Sequence, residues 1–371
     1  MLKKFSVTNF KNFQEKITFD LGDAKGYKFN SKCVKDGIVN KAIIYGKNAS
    51  GKSNLIFAIF DIVGGFTDYQ GNAPQYNFYK NLHNALSEQS TFEYEFLLNN
   101  QSVVYICEKS DHYTFISEKL FINDDLIINR DSSHNQFTIN IPELENFDST
   151  LSNVNLSVIK YVYRNTKIQE LDSEVAKSFV ALMNFVEKML FFYSLHNRQY
   201  IGFSTLLNES IYKKIIESNK LQEFAAFLRS LDLDYQLIPS TDTQGQPTVA
   251  IKFPNQIVEF QKVASSGMLA LALFYYWYIN IANIKLLVID EFDAFYHNAL
   301  SAKFVKLLLE SDCQVILTTH NTSVMTNELM RPDCYFRING NGITSLANAT
   351  DIEIREAHNL EKIYRSGWFD E

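Results

Sequence analysis

The sequence feature that most constrains the fold is a glycine-bounded loop between an apolar run and an amphipathic segment. Residues 43–55 read IIYGKNASGKSNL, with the spacing G-x-x-x-x-G-K-S from Gly46 to Ser53. This order predicts a strand, a phosphate loop and a helix, because loop N–H groups and a helix amino terminus suit a polyphosphate. Lys52 would reach the β- and γ-phosphates, and the Ser53 hydroxyl would ligate Mg²⁺. A glycine-rich turn that only caps a helix is the alternative.

Composition restricts the class of protein but does not identify its partner. The chain has 371 residues, of which 46% are hydrophobic and 21% charged, as in a globular protein of one large or two ordinary domains. Its net charge of −7 means that any nucleic-acid contact must come from a local basic patch. The four cysteines form no C-x-x-C pair, which favours reduced thiols in a cytoplasmic protein.

One apolar run could be mistaken for a membrane-spanning segment. Residues 268–279 are uninterrupted apolar residues, but a helix of that length rises about 18 Å, against the roughly 30 Å of hydrocarbon in a bilayer. The amino-terminal sequence MLKKF lacks the apolar run of a signal peptide. We therefore predict a buried helix and no membrane partner.

The first half of the chain has the alternation of β-strands around the phosphate loop. Residues 2–13 predict a strand and a turn, and 17–21 its hairpin partner. A helix is predicted over 52–63. Alternating runs between 91 and 128, separated by turn residues, predict an antiparallel meander, and 153–163 a further strand.

The second half combines helical stripes with strand–helix alternation. Apolar residues at helical spacing over 171–190 and 210–231 predict a helical segment. Further on, helices and continuous apolar strands alternate, which predicts a parallel sheet shared with the phosphate-loop strand. The predicted elements are a helix over 268–282, a strand over 285–290, a helix over 300–309, a strand over 314–319 and a helix over 324–330.

Two carboxylates end one of these buried strands, at LLVIDE over residues 286–291. The carboxyl ends of parallel strands open on the ligand crevice of a sheet. Asp290 could therefore hold Mg²⁺, and Glu291 could polarise an attacking water. An ordinary strand end followed by an acidic helical turn is the alternative.

Two further motifs are less specific on their residues alone. The next buried strand ends in Thr-Thr-His, where His320 could contact the γ-phosphate or the attacking water, although a histidine at a strand end is usually incidental. Ser265, Ser266 and Gly267 precede the apolar helix, so N–H groups and a hydroxyl could face an anion. A plain serine N-cap fits that segment equally well.

The order of these motifs resembles an ABC-type ATPase head. More closely it resembles the SMC/RecF-like and OLD-like ATPases, including bacterial phage-defence ATPases of the AAA_15/AAA_21 type that lack a Toprim domain. The opening FSVTNFKNF resembles the first strand of that group, and the meander resembles its β lobe. The resemblance implies an α/β fold: an ABC-type ATPase head with a mixed, largely parallel central sheet, an antiparallel β lobe and a helical insert.

The resemblance also implies boundaries and cofactors. Residues 1–164 would form the amino-terminal half of the head, 165–232 the helical insert, 233–350 the carboxy-terminal half and 351–371 a tail. ATP and Mg²⁺ are the implied cofactors. The tail could be a terminal helix docked on the head or a handle for a partner.

Carried over residue by residue, the resemblance assigns a role to each motif. Glu291 would be the general base and His320 the switch histidine, with Lys52 catalytic and Ser53 and Asp290 as metal ligands. The trans signature, Ser265-Ser266-Gly267, would face the γ-phosphate of a second subunit. Nucleotide binding falls to Lys11, Asn12, Gly46, Lys47, Asn48, Ala49, Ser50, Gly51, Lys52, Ser53 and Asn54.

Two positions depart from the family pattern. His297 stands where many ABC heads carry an aspartate, six residues after Glu291. The glutamine of the Q-loop cannot be placed among Gln70, Gln75 and Gln89. Coupling between subunits is therefore expected to differ from that of the family.

These features lead to expectations about partners and function. A signature that acts in trans requires a homodimer or a higher homo-oligomer. The sequence after His320 is too short for a Toprim nuclease domain of roughly 100 residues. We therefore expect an antiphage-defence ATPase that senses for, or regulates, a separate effector, either a nuclease or a toxin. A RecF/SMC-like DNA repair or maintenance ATPase, acting on DNA, is the main alternative, and a transport ABC subunit is the third.

Overall fold

The chain begins with short strands, reaches the phosphate loop at the end of a buried strand and continues as a long helix. The computed structural model describes residues 1–69, 76–84, 88–193, 199–202, 210–340 and 342–369. The strand predicted over 17–21 pairs antiparallel with the first strand, as expected. The first elements are β1 (Leu2–Thr8), β2 (Ile17–Asp20), β3 (Val34–Lys35), β4 (Ile38–Val39), β5 (Lys41–Tyr45) and α1 (Lys52–Phe66).

The predicted meander is confirmed as part of a seven-stranded antiparallel sheet, ordered β10-β9-β8-β7-β6-β1-β2. Its tight turns use pairs of residues with positive φ, Asn99-Asn100 and Asn123-Asp124, which is the backbone that two-residue hairpins require. The elements of this part are β6 (Ser90–Leu98), β7 (Gln101–Lys109), β8 (Phe115–Ile122), β9 (Asp125–Asp131), β10 (Phe137–Ile139) and α2 (Val158–Asn165).

The strand predicted over 153–163 is wrong, because most of that segment belongs to α2. The Ser157 hydroxyl caps the helix by accepting a hydrogen bond from the N–H of Ile159. Val158, Ile159 and Val162 are fully buried, at the spacing of one helical face. A run of β-branched residues is equally compatible with a strand, so only the serine cap distinguished the two.

The segment predicted as a helical insert, 165–232, is not helical throughout. In its described residues, two strands lie between the first helix and the next two, and Met189 and Leu190 of the predicted helical stripe belong to the first of these strands. The elements of the middle segment are α3 (Glu174–Glu187), β11 (Met189–Tyr193), β12 (Gln199–Gly202), α4 (Ile211–Glu217), α5 (Leu221–Ser230), β13 (Leu237–Thr241), β14 (Pro247–Lys252), β15 (Ile257–Glu259) and α6 (Phe260–Val263).

The last third alternates helix and strand, as predicted, with one exception. The helix predicted over 324–330 is wrong: a 3-10 helix spans Thr322–Val324, and residues 327–329 form a turn. The Tyr335 hydroxyl donates to the carbonyls of Val324 and Thr326, which therefore do not accept as helix carbonyls alone. The elements are α7 (Ser266–Tyr278), β16 (Leu286–Asp290), α8 (Asn298–Leu309), β17 (Gln314–Thr319), β18 (Tyr335–Asn339), β19 (Gly342–Ser345) and α9 (Leu360–Arg365). No helix in the described ranges is long and apolar enough to cross a membrane.

A second seven-stranded sheet joins distant parts of the chain, in the order β12-β11-β16-β17-β5-β18-β19. Its inner strands β11, β16, β17, β5 and β18 are parallel, which confirms the predicted shared sheet. The carboxyl ends of β5, β16 and β17 therefore meet at one edge, where ligands of open parallel sheets bind.

Helix α1 packs against both large sheets, which explains why apolar residues surround it. Phe60 contacts Phe191 of the parallel sheet at a ring distance of 5.3 Å. Phe66 contacts Tyr105 of the antiparallel sheet at 4.9 Å, and the Tyr94 hydroxyl donates to the Ala58 carbonyl. Helix α1, which starts at the phosphate loop, thus lies in the core between the two seven-stranded sheets and contacts both.

The tail packs on the rest of the chain, as its docked alternative predicts. Leu360 and Phe369 are almost fully buried, and the ring of Tyr364 lies 6.1 Å from that of Tyr45 at the end of β5. The Thr322 hydroxyl, two residues after His320, donates to Glu361 of α9 over 2.8 Å.

Candidate functional site

The phosphate loop leaves β5 and enters α1 through two residues with left-handed backbone. Ala49 has φ 63° and Gly51 has φ 102°. A Cβ atom on Gly51 would lie 2.6 Å from Nδ2 of Asn12 and 2.8 Å from the Phe13 ring. Glycine is therefore required at this position by both conformation and space.

The loop has the features that a phosphate requires. The hydroxyl of Ser50 is buried and has no hydrogen-bond partner among the described residues. A Cβ atom on Gly46 would overlap that hydroxyl, so the loop is a close-fitting cradle. Lys47, Asn48 and Ala49 are exposed above it. An unpaired hydroxyl beside a glycine cradle, at the start of a long helix, fits a bound phosphate group.

The ammonium group of Lys52 lies at the centre of the site. Its Nζ donates to the Gly46 carbonyl at 3.0 Å and lies 2.7 Å from Nε2 of His320. It also lies 3.4 Å from Oε1 of Glu291. Burial lowers the pKa of Lys52 below its ordinary value, and the Glu291 carboxylate opposes that shift. The loop lysine and the two predicted catalytic side chains thus converge on one point.

Asp290 is held on both of its oxygens. The Ser53 hydroxyl donates to Oδ2 at 2.6 Å, and the Thr318 hydroxyl donates to Oδ1 at 2.5 Å. The two predicted metal ligands are therefore in direct contact. A carboxylate and a hydroxyl are hard oxygen donors, so this pair fits Mg²⁺, which commonly takes one or two protein carboxylates and completes its shell with water and substrate phosphates.

Glu291 has an unusual backbone for a residue that is not glycine. Its φ is 49°, and its N–H donates to the Thr318 hydroxyl at 2.8 Å. Its carboxylate points back over the loop, with Oε1 3.0 Å from Nε2 of His320. Left-handed backbone of this kind costs about 1–3 kcal/mol and is concentrated at functional sites.

The two residues predicted near the nucleotide in the first turn lie beside α1. Oδ1 of Asn12 accepts a hydrogen bond from Asn54 at 2.6 Å, which places Asn12 over the start of the helix. The Lys11 ammonium lies over the rings of Phe10 and Phe57, at 5.6 and 5.7 Å. Burial lowers the pKa of Lys11.

The predicted signature segment forms the exposed start of α7. Ser265 caps α7 by accepting a hydrogen bond from Met268 N, and Ser265 and Ser266 are exposed. A Cβ atom on Gly267 would lie 2.9 Å from the Phe295 carbonyl, so this position has no room for a side chain. Within the described ranges, no hydrogen bond or ion pair links these three residues to the phosphate loop. The polar contacts of the described residues therefore join only part of the predicted site.

The structure places His297, which stands where many ABC heads carry an aspartate, and one of the three candidates for the Q-loop glutamine. His297 is the N-cap of α8, where its Nδ1 accepts a hydrogen bond from Leu300 N. Gln70 and Gln75 lie outside the described residues. Gln89 offers its main-chain carbonyl to Asn9.

The sequence reasoning missed the hydroxyls of Thr318 and Thr319. Both are fully buried, and Thr319 donates to Asp293 at 2.6 Å. Two polar residues that follow the apolar run VIL in the strand QVILTT are the signal that could have indicated them.

Comparison with known proteins adds a family match over most of the chain. The family model AAA_21, described as "AAA domain, putative AbiEii toxin, Type IV TA system", matches residues 41–326. No curated protein matches the sequence.

Several solved structures are similar to the chain over almost its whole length. The SMC head domain from Thermotoga maritima is 16% identical, with 95% of this chain and 99% of that chain covered and a TM-score of 0.44. An Smc head domain with an extended coiled coil, bound to the C-terminal domain of ScpA derived from Pyrococcus furiosus, is 13% identical, with 93% and 96% covered and a TM-score of 0.45. The recombination mediator protein RecF, bound to ATPrS, is 15% identical, with 94% and 98% covered and a TM-score of 0.40.

Proposed function

The chain belongs to the AAA_21 family of AAA domains, and from this premise we propose that it binds ATP with Mg²⁺ and hydrolyses it. The observation that carries the proposal is the convergence of Lys52, Glu291 and His320 beside the phosphate loop. Nε2 of His320 lies 2.7 Å from the lysine Nζ and 3.0 Å from the glutamate Oε1. Such a cluster combines a phosphate-binding cation with a carboxylate that can accept a proton.

Each residue of the site has a distinct task in this proposal. Ser53 and Asp290 would hold Mg²⁺, which supplies charge neutralisation at the phosphates when it is bound. Lys52 binds the phosphates of the substrate and is kept in place by the Gly46 carbonyl. Glu291 accepts the proton of the attacking water, and His320 orients that carboxylate through its Nε2.

The exposed signature segment supports a site shared between two copies. Ser265 and Ser266 present the amino terminus of a thirteen-residue helix to solvent. A second copy, packed head to tail, would bring that helix end to the substrate, where N–H groups and a hydroxyl suit a phosphate. ATP would therefore close a homodimer, and hydrolysis would release it.

For the biological role, the proposal is an antiphage ATPase that regulates or senses for a separate nuclease or toxin. Support comes from the family description, "AAA domain, putative AbiEii toxin, Type IV TA system", which connects AAA domains of this kind with toxin–antitoxin systems. The net charge of −7 gives no support to DNA as the general partner.

The test is phosphate release by the purified full chain with ATP, with and without Mg²⁺ and with and without DNA. The proposal expects phosphate release that depends on Mg²⁺ and that DNA does not stimulate. In a separate purification of the tagged protein from its host, we expect an effector protein to copurify. Absence of release overturns the hydrolytic function. Strong stimulation by DNA would point instead to a repair or maintenance ATPase.

A further inference from the structure

Two adjacent threonines at the end of β17 make the same unusual pair of contacts. Each hydroxyl joins a carboxylate at or just after the end of β16 to a main-chain N–H. Thr318 Oγ1 donates to Asp290 Oδ1 at 2.5 Å and accepts from Glu291 N at 2.8 Å. Thr319 Oγ1 donates to Asp293 Oδ1 at 2.6 Å and accepts from Asn321 N at 2.8 Å.

The first bridge links the carboxylate of the predicted metal ligand Asp290 and the main-chain N–H of the predicted base Glu291 to one atom. A hydroxyl can donate one hydrogen bond while it accepts others, so Thr318 serves Asp290 and Glu291 at once. The parallel register pairs Ile289 with Leu317, which brings the next residues of the two strands, Asp290 and Thr318, side by side. The contact therefore follows from the order of the strands.

The bridge acts on the side chain of one residue and on the backbone of the other. For Asp290, it fixes Oδ1 while Ser53 holds Oδ2, so the carboxylate cannot rotate away. For Glu291, it satisfies the N–H of a residue whose backbone has φ 49°. That backbone directs the glutamate Oε1 towards Lys52 and His320, at 3.4 and 3.0 Å.

We propose that Thr318 is a positioning residue that sets the geometry of both the metal ligand Asp290 and the base Glu291. This inference rests on the proposed function. Thr318 itself touches neither substrate nor metal in this scheme. Its loss would leave a buried carboxylate oxygen and a buried N–H without their partner, in a site where small displacements reduce turnover strongly.

The experiment compares Thr318→Val, which keeps the shape and removes the hydroxyl, with Thr318→Ser, which restores the hydroxyl. Thr248→Val is the matched control, since Thr248 is a buried strand threonine in the β13-β14-β15 sheet. The measurements are kcat and KM for MgATP, the affinity for a non-hydrolysable ATP analogue with and without Mg²⁺, and the melting temperature.

The expected result is a kcat for Thr318→Val that falls by about 10–100-fold, with KM nearly unchanged. The gain in analogue affinity that Mg²⁺ gives the wild type should largely disappear. Thr318→Ser should recover most of both properties, and Thr248→Val should behave as the wild type. If Thr318→Val does not fold, Thr318→Ala removes the same hydroxyl without a bulky replacement.

Two outcomes separate this inference from the proposed function. A wild type that releases no phosphate contradicts the proposed function, and the effect of Mg²⁺ on analogue affinity still tests Thr318. A wild type that hydrolyses ATP, with Thr318→Val equally fast and equally sensitive to Mg²⁺, overturns the positioning role alone. A loss that Thr318→Ser does not restore also overturns it.

Discussion

The Lys52 ammonium and the His320 imidazole are in direct contact, with Nζ 2.7 Å from Nε2. The same Nε2 lies 3.0 Å from Oε1 of Glu291. Without a hydrogen, Nε2 can accept from Lys52; with one, it can donate to Glu291, so it serves only one of the two at a time. The histidine is therefore placed between the group proposed to bind phosphate and the group proposed to activate water.

Replacement of Lys52 should abolish tight nucleotide binding. In Lys52→Ala, the site loses a charge-assisted hydrogen bond to phosphate of about 1.5–3 kcal/mol, or roughly 10–100-fold in affinity. Titration with a fluorescent ATP analogue measures this directly. The control is Lys306→Ala, which removes an exposed lysine from α8. Equal affinity in the two variants would remove Lys52 from the site.

Glu291→Gln should separate binding from hydrolysis. The amide keeps the size of the side chain and leaves the main-chain contact to Thr318 intact, but it cannot accept the proton of water. We expect a turnover loss of about 10²–10⁴-fold with analogue affinity preserved. Size-exclusion chromatography with ATP should then show a persistent dimer. Glu310→Gln, at an exposed ion pair with Lys32, is the control. Normal turnover in Glu291→Gln would show that another group is the base.

A composite site can be tested by mixing two inactive variants. Lys52→Ala damages the phosphate loop, whereas Ser265→Arg blocks the exposed start of α7. If the two halves come from different copies, a mixed dimer contains one intact site, and the mixture regains part of the wild-type phosphate release. If both halves act within one chain, the mixture stays as inactive as each variant alone.

Local patterns in the sequence were sufficient for much of the fold. The spacing from Gly46 to Ser53 and the apolar run ending in Asp290-Glu291 specify their elements by themselves, because each pattern fits one backbone conformation. The prediction was wrong where one pattern fits two conformations. The apolar residues after Ser157 suit a strand or a helix, and the stripe that reaches Met189 continues from a helix into β11.

The bridging threonines could not be predicted in the same way. The role of Thr318 depends on β16 and β17 being neighbours in register, which is a property of the whole sheet. The left-handed backbone of Glu291 has no signal in its residue type, because glutamate rarely adopts it. Contacts between sequence-distant strands therefore carry the part of the site that pattern analysis missed.

A buried ion pair joins α1 to β7, and it leads to a prediction about the stability of the fold. Asp61 of α1 accepts from Lys109 at 2.7 Å, from the Tyr79 hydroxyl at 3.0 Å and lies 2.9 Å from Nδ1 of His112. The side chains of Asp61 and Lys109 are almost completely buried. Asp61→Ala should lower the free energy of unfolding by about 3–5 kcal/mol at neutral pH, because it leaves a buried ammonium unpaired. Denaturant melts measure this.

The control and the rescue distinguish the charge from the packing. Asp68→Ala removes an exposed partner of Lys160 and Arg164, so it should cost less than about 1 kcal/mol. The double variant Asp61→Leu, Lys109→Met replaces the pair by apolar groups and should recover much of the loss. If it is as unstable as Asp61→Ala, shape rather than charge explains the defect.

The same aspartate should make the fold sensitive to acid. Burial by itself would raise the pKa of Asp61, but Lys109 and then His112 outweigh it, so the pKa lies below its ordinary value of 3.8. A lowered pKa in the folded state means that Asp61 stabilises the fold above the unfolded value and that this contribution is lost as the pH falls through the folded value. Wild-type stability should therefore decline below about pH 4 more steeply than that of the Asp61→Leu, Lys109→Met variant. Parallel curves for the two proteins between pH 5 and about pH 2 would show that Asp61 does not contribute to acid unfolding.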